Sequence, residues 1–120
     1  MNLGLDGKIA LVGGGNRGLG RAAAEALARE GAAVAVFARD EVSLRRAADE
    51  ISAATGAEVA AISADVARPE DCERVVEETV ARFGGLDALV TNMGGPPYRE
   101  KVPLDDDDWR VAWELVTQSV

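Results

Sequence analysis

The sequence of 120 residues contains no histidine and only one cysteine, Cys72. Without histidine, these residues hold neither a Ser-His hydrolase pair nor a histidine-ligated zinc site. A single cysteine cannot form a disulfide within the chain, and its helical spacing from Val76 predicts a small buried side chain. We therefore expect a protein of a reducing compartment, with no metal site in this chain.

Positive charge, aromatic residues and long apolar runs are also scarce. The formal net charge of −8 argues against nonspecific binding to nucleic acid or to an anionic membrane. No apolar run approaches the roughly 20 residues of a membrane span, and the first residues lack the basic and apolar regions of a signal peptide. Aromatic residues make up 4% of the chain, so the core must be built from aliphatic side chains. These features predict a cytoplasmic protein.

What the sequence does contain is four short apolar segments that alternate with amphipathic helical segments. Continuous apolar strands joined by helices of about 12 to 16 residues predict right-handed crossovers and a parallel sheet covered on both faces. The predicted fold class is α/β, a Rossmann-type doubly wound parallel sheet in strand order 3-2-1-4, within one domain of residues 1–120. The predicted strands are residues 8–14, 33–38, 58–63 and 86–91.

Helix boundaries and buried faces follow from caps and from apolar spacing. Gly31, Gly56 and Gly84 are predicted helix stops, Asp40 is a predicted cap, and Pro69 suits a first helical position. The predicted buried stripes are Leu19, Ala22, Ala23, Ala26 and Leu27 in the first helix, Leu44, Ala47, Ala48, Ile51 and Thr55 in the second, Val76, Val80 and Phe83 in the third, and Trp109, Ala112, Trp113, Val116 and Val120 in the fourth.

The aspartate run near the end predicts the start of a helix rather than a metal site. Asp105 suits the cap position, residues 106–108 suit the first turn, and Leu104 with Trp109 can form a hydrophobic staple. No glycine, proline or basic stop signal follows before Val120. We therefore expect the domain to be truncated within its fourth helix and the sheet to be incomplete on its C-terminal side.

The most informative motif is the glycine loop that joins the first strand to an alanine-rich helix. Glycines at positions 14, 18 and 20 allow a sharp turn and let backbone N–H groups approach a pyrophosphate at the positive end of the helix. A tight turn alone could require one or two of these glycines. Three of them, below a strand and at the start of a helix, predict a dinucleotide-binding loop.

The segment from Leu5 to Gly20 resembles the opening of the short-chain dehydrogenase/reductase family. Asp65-Val66 after the third strand and Thr91-Asn92-Met93-Gly94 after the fourth stand in the order and spacing that the family uses. The resemblance implies that the glycine loop holds the cofactor pyrophosphate at Gly14, Gly18, Leu19 and Gly20, with Asn16 and Arg17 as further cofactor-binding residues of that loop. It implies that Asp65 accepts a hydrogen bond from the adenine amino group, next to Val66. It also implies that Asn92 and Gly94 line the ribose. The structural alternative for Asp65 is that it caps the following loop. The structural alternative for Asn92 is that it supports the sheet.

Cofactor choice in this family depends on the end of the second strand. An acidic residue there holds the ribose 2′-OH of NAD, whereas arginine accommodates the 2′-phosphate of NADP. This chain has Ala38 and then Arg39, and Arg17 adds a second planar cation. Asp40 lies one position too late and is better explained as a cap. NADP is therefore expected and NAD is disfavoured, with solvated surface arginines as the alternative.

Several family features are changed or missing. Gly13 and Met93 replace the usual threonine and alanine, and Val116 aligns with an asparagine of the proton relay. The family's catalytic serine, tyrosine and lysine have no counterpart, since Tyr98 and Lys101 are three residues apart in a proline-flanked loop rather than four. We therefore assign no catalytic residue.

The resemblance implies the NADP(H)-binding part of an oxidoreductase that moves hydride between the cofactor and a small carbonyl or secondary alcohol. This chain alone is expected to be inactive, and full-length relatives commonly form homo-oligomers. A nucleotide-binding module and an inactive truncated fragment remain alternatives. Methyltransferases and flavoproteins usually need an acidic residue where Arg39 stands, so they are disfavoured.

Overall fold

The structure is a computed structural model that describes residues 2–92 and 105–114. Four parallel strands form one sheet in the order β3-β2-β1-β4, which confirms the predicted α/β fold class and strand order. The strands are β1 (Ile9–Gly13), β2 (Ala33–Ala38), β3 (Val59–Ser63) and β4 (Ala88–Val90), and the helices are α1 (Gly18–Arg29), α2 (Glu41–Thr55), α3 (Pro69–Phe83) and α4 (Asp106–Ala112).

The two central strands are apolar throughout because both faces of the sheet are covered. On one face, Val12, Val34 and Val36 pack with residues of α1 and α2, including Leu44 and Ile51. The opposite face has a second cluster, formed by Leu11, Ala35, Ala60, Ile62, Ala64 and Val75. Successive residues of a strand point to opposite faces, so one apolar run supplies both clusters.

Helix α2 and strand β2 agree best with the predictions. The buried residues of α2 are the predicted Leu44, Ala47, Ala48 and Ile51, and Thr55 is half-buried. Asp40 caps it by accepting a hydrogen bond from Val42 N at 3.2 Å. Strand β2 has the predicted bounds, whereas β1, β3 and β4 are shorter than predicted by one or two residues at one or both ends.

The predicted faces of α1 and α3 were wrong in part. Ala23, Leu27 and Phe83 are half-buried and pack against the core as predicted, but the fully buried residues are others. In α1 the buried residues are Gly20, Ala24 and Ala28, while Leu19 is 83% exposed. Ala22 and Ala26 are exposed as well, so the predicted stripe is rotated toward solvent. The cause is Gly20, which has no side chain and packs directly against the backbone of the preceding loop.

Helix α3 buries Val75 and Thr79, whereas the predicted Val76 and Val80 are exposed. Thr79 tolerates complete burial because its hydroxyl donates to the Val75 carbonyl at 2.7 Å. Cys72, predicted to be buried, is half-buried, and its Sγ lies 3.5 Å from the Val66 carbonyl oxygen that accepts its hydrogen bond.

Helix α4 begins as predicted. Asp105 is its N-cap, and Asp105 and Asp108 form a reciprocal capping box. The staple residue Leu104 and the stripe residues Val116 and Val120 lie outside the described residues. No helix in the described part of the chain is long and apolar enough to cross a membrane.

Candidate cofactor-binding site

The predicted site residues converge at one edge of the sheet, where the carboxyl ends of the strands lie. The register places Gly13 of β1 beside Phe37 of β2, and Val12 beside Val90 of β4. The glycine loop, Arg39, Asp65 and Asn92 each follow one of the four strands, and α/β sheets bind ligands at this edge. The predicted contact at Gly94 falls outside the described residues.

The loop between β1 and α1 depends on glycine at two positions in different ways. Gly14 has a φ of +62°, in the left-handed region that side chains disfavour. Gly20 has no room for a side chain, because an added Cβ would lie 2.6 Å from the Gly14 carbonyl carbon and 2.7 Å from the Gly13 oxygen. The first turn of α1 is thereby held directly against the loop.

The N-terminus of α1 differs from those of the other helices. Arg17 occupies its N-cap position without a side-chain cap hydrogen bond, and its first turn contains no acidic residue. The first turns of α2, α3 and α4 each contain at least one acidic residue. Because the first N–H groups of a helix lack intrahelical partners, this end of α1 keeps both free donors and positive potential for an anion.

Asn92 links the end of β4 to the loop. Its side-chain Nδ2 donates to the Gly13 carbonyl oxygen at 3.3 Å. Gly13, which stands where the family usually has threonine, also has a local reason to be glycine. A Cβ there would lie 2.7 Å from the Asn92 carbonyl oxygen and 2.9 Å from Phe37 Cζ. Asn92 thus supports the sheet edge, and its contact with ribose stays a prediction.

Arg17 and Arg39 are both exposed at this edge. Within residues 2–92 and 105–114, neither guanidinium forms an ion pair. Six other arginines pair with carboxylates, whereas Arg46 on α2 and Arg82 on α3 do not within the described residues; the paired ones are Arg21, Arg29, Arg45, Arg68, Arg74 and Arg110. Two unpaired guanidinium groups can bind a phosphate without first breaking a salt bridge.

Two serines that were not predicted as site residues hold the turn carrying Arg39. Ser43 Oγ accepts a hydrogen bond from Asn16 Nδ2 at 3.0 Å and donates to the Asp40 carbonyl oxygen at 3.3 Å. Ser63 Oγ donates to the Arg39 carbonyl oxygen at 3.1 Å. A serine three residues after a cap was the available signal for Ser43, but its partner Asn16 lies in a different loop.

Asp65 and Val66 form the start of the loop between β3 and α3. Asp65 Oδ1 accepts from Ala67 N at 3.0 Å, so the predicted loop-capping alternative is present. Its backbone N–H donates to Asp71 Oδ2 at 2.8 Å. That hydrogen bond, with further help from Arg74, holds the pKa of the Asp71 carboxyl below its usual range. The adenine contact of the half-buried Asp65 stays a prediction.

We expect Asp71→Asn to lower the free energy of unfolding at neutral pH but to have little effect in acid. Because the folded state lowers the pKa of Asp71, its stabilising contribution is complete above about pH 4, and is lost as the pH falls through the lowered pKa. Urea unfolding at a series of pH values measures the difference. Asp49→Asn, a substitution at an exposed residue of α2, is the control. A loss of unfolding free energy in Asp71→Asn that is the same at every pH would contradict the hydrogen-bonded role of the Asp71 carboxylate.

Catalytic and metal-binding groups were not predicted in this chain. Tyr98, Lys101 and Val116 lie outside the described residues. Among the residues that the structure does describe, no group of three or more histidine, cysteine, aspartate or glutamate side chains is arranged to hold a metal ion. The described site therefore consists of backbone donors, two guanidinium groups and one half-buried carboxylate.

Comparisons with known proteins agree in family and fold. The family model described as short chain dehydrogenase matches residues 8–120. The chain is 46% identical over 103 residues to an A-factor type gamma-butyrolactone 1'-reductase (1S-forming) of Streptomyces virginiae, which covers 86% of this chain and 40% of that protein. It is 39% identical over 98 residues to general stress protein 39 of Bacillus subtilis (strain 168); the match covers 82% of this chain and 34% of that protein.

Solved structures resemble the whole described fold. L-Sorbose reductase from Gluconobacter frateurii, complexed with NADPH and L-sorbose, has a TM-score of 0.92 at 36% identity and covers 99% of this chain and 45% of its own. A short chain dehydrogenase from Burkholderia cenocepacia J2315 in complex with NADP has a TM-score of 0.87 at 35% identity; the match covers 96% of this chain and 47% of that one. The chain spans less than half the length of these relatives.

Proposed function

The chain belongs to the short-chain dehydrogenase family, and from this premise we propose that it is the NADP(H)-binding part of an oxidoreductase. The proposed reaction moves hydride between the nicotinamide of the cofactor and a small carbonyl or secondary alcohol. The observation that carries this proposal is the α1 N-terminus, packed against the glycine loop through Gly20 and flanked by the unpaired Arg17 and Arg39.

The residues of the loop suit a pyrophosphate in both shape and charge. Gly14 and Gly20 allow the loop to pack closely against Asn92 and the first turn of α1, Gly18 adds no side chain to the open space beside it, and Leu19 is exposed. The uncapped N–H groups of that turn would donate to phosphate oxygens, and the helix dipole favours their negative charge. Solved relatives complexed with NADPH or NADP support the same proposal.

The remaining site residues would hold the adenosine half. We assign the adenine amino group to the Asp65 carboxylate, which is half-buried beside Val66. Its second oxygen has no hydrogen bond within the described residues, while Oδ1 is bonded to Ala67 N. The ribose would lie near Asn92, with Gly94 as the further predicted contact.

The 2′-phosphate would lie between Arg17 and Arg39. Both side chains are exposed and carry no competing carboxylate in the described part of the chain. Guanidinium groups bind phosphate through paired, charge-assisted hydrogen bonds, so two of them at this position favour NADP over NAD. The only nearby acidic residue of the turn, Asp40, is used as the cap of α2.

We expect Arg39→Asp to weaken NADPH binding by about 10- to 100-fold, since a charged hydrogen bond contributes roughly 1.5–3 kcal/mol. NADH lacks the 2′-phosphate, so its dissociation constant should change by less than about threefold. Isothermal titration calorimetry of the full-length protein with each cofactor measures the two changes in dissociation constant.

A charge-matched control separates local from general electrostatics. Arg82→Asp produces the same change in net charge, at the exposed last turn of α3 on the opposite edge of the sheet. It should alter neither cofactor affinity by more than about twofold. Equal weakening of NADPH and NADH by Arg39→Asp would overturn the NADP assignment.

Hydride transfer by the whole protein would need groups outside these 120 residues. The sequence holds no counterpart of the serine and the tyrosine–lysine pair with which the family supplies a proton, so we propose that the chain alone binds cofactor without turnover. A small-molecule substrate, assembly into a homo-oligomer and a cytoplasmic location remain part of the proposal.

A further inference from the structure

We propose that Ser43 is a positioning residue that fixes the Arg39 turn against the glycine loop and so sets the preference for a 2′-phosphorylated cofactor. The inference rests on the proposed function, because it concerns the same site. It assigns a role to a residue that contacts no phosphate in the proposed complex and acts through its neighbours.

The hydroxyl of Ser43 joins two loops that are separate in sequence. It accepts from Asn16 Nδ2 at 3.0 Å, in a half-buried hydrogen bond across 27 residues of chain. It donates to the Asp40 carbonyl oxygen at 3.3 Å, which uses the single hydroxyl proton. The loop that carries Arg17 is thereby connected to the turn that carries Arg39.

The turn is also held from its other side. Ser63 Oγ at the end of β3 donates to the Arg39 carbonyl oxygen at 3.1 Å, and this bond is exposed, as is the bond from Ser43 to Asp40. Only Ser43 also has a half-buried hydrogen bond to the glycine loop, with which water competes less. We therefore expect Ser43 to contribute more than Ser63 to the separation between the turn and that loop.

This connection should affect the 2′-phosphate more than the pyrophosphate. Two guanidinium groups can share one phosphate only if their backbones are held at a suitable separation, since the cost of ordering long side chains otherwise reduces the gain. The pyrophosphate loop has independent supports, namely the packing of Gly20 on Gly14 and the hydrogen bond from Asn92 to Gly13. NADH binding should therefore tolerate the loss of the Ser43 hydroxyl.

The test introduces Ser43→Ala and Ser43→Thr into the full-length protein and measures the dissociation constants for NADPH and for NADH by titration. Ser43→Ala should raise the dissociation constant for NADPH by about 3- to 10-fold and that for NADH by less than about twofold. Ser43→Thr keeps a hydroxyl and should restore the NADPH affinity to within about twofold. Ser52→Ala is the matched control, because Ser52 lies on the same helix and donates to the Ala57 carbonyl oxygen, near the far end of α2.

A double-mutant cycle tests whether the hydrogen bond itself is responsible. Asn16→Ala should reduce the ratio of NADPH to NADH affinity as Ser43→Ala does, and the double variant should reduce it no further. Additive losses, an unchanged ratio in Ser43→Ala, or a threonine variant as impaired as the alanine variant would each overturn the inference.

These outcomes are distinguishable from failure of the proposed function. If the unmodified protein shows no preference for NADPH, both proposals fail. If it prefers NADPH and loses that preference in Arg39→Asp but not in Ser43→Ala, the NADP assignment stands and only the role of Ser43 is overturned.

Discussion

Replacing Gly20 by alanine should lower the free energy of unfolding by about 2–3 kcal/mol and weaken NADPH binding about 100-fold. The added Cβ would lie 2.6 Å from the Gly14 carbonyl carbon and closer still to its oxygen. These are backbone atoms that cannot rotate away, so the first turn of α1 must move from the loop. The N–H groups proposed to bind the pyrophosphate would move with it. Urea unfolding and isothermal titration measure the two effects.

Gly56→Ala is the matched control for this change. Unlike Gly20, Gly56 has a left-handed backbone, with a φ of +76°, and an added Cβ there would meet no atom within 4 Å. Its substitution should cost about 1–2 kcal/mol of stability through backbone strain alone and leave NADPH binding unaffected. NADPH binding by Gly20→Ala as tight as that by the Gly56→Ala variant would contradict the assignment of the pyrophosphate to the glycine loop and the first turn of α1.

Leu44→Ala should destabilise the protein by about 3 kcal/mol, within the range for a large buried side chain that leaves a cavity. Leu44 is fully buried on α2 and belongs to the cluster with Val36, Ala48 and Ile51. Urea unfolding, analysed by linear extrapolation, measures the loss.

The neighbouring Val42 provides the control, because it lies on the same helix and is 70% exposed. Val42→Ala should change the free energy of unfolding by no more than about 0.5 kcal/mol. Similar losses in the two variants would contradict the placement of α2 on the sheet.

The parts of the fold that the sequence predicted well are those with strong local signals. The continuous apolar run of β2 and the apolar spacing and Asp40 cap of α2 are each contained in a few consecutive residues. The start of α4 is similar, since Asp105 and Asp108 satisfy each other's backbone N–H groups within one turn.

The errors in α1 and α3 came from residues whose burial is not visible as hydrophobicity. Gly20 adds no apolar side chain to the pattern, yet its close packing determines which face of α1 meets the sheet. Thr79 is polar but satisfies its hydroxyl within its own helix, so it is buried where the pattern pointed to Val76 and Val80. In both cases tertiary packing decided the helix face.

The position of the candidate site followed from sequence, but its internal contacts did not. Parallel strands place the loops after β1, β2, β3 and β4 at one edge whatever their side chains are. The hydrogen bonds from Asn16 to Ser43 and from Asn92 to Gly13 join residues that are distant in the chain. Such pairs depend on the three-dimensional approach of two loops, for which a single sequence contains no periodic signal.

The central claim is that this edge of the sheet binds a 2′-phosphorylated dinucleotide. The most direct measurement is a calorimetric titration of the unmodified protein with NADPH and, under the same conditions, with NADH. The account predicts saturable binding of both at one site, with NADPH bound at least about tenfold more tightly, as the charged contacts of Arg17 and Arg39 imply. NADH bound as tightly as NADPH, or no binding of either, would contradict it.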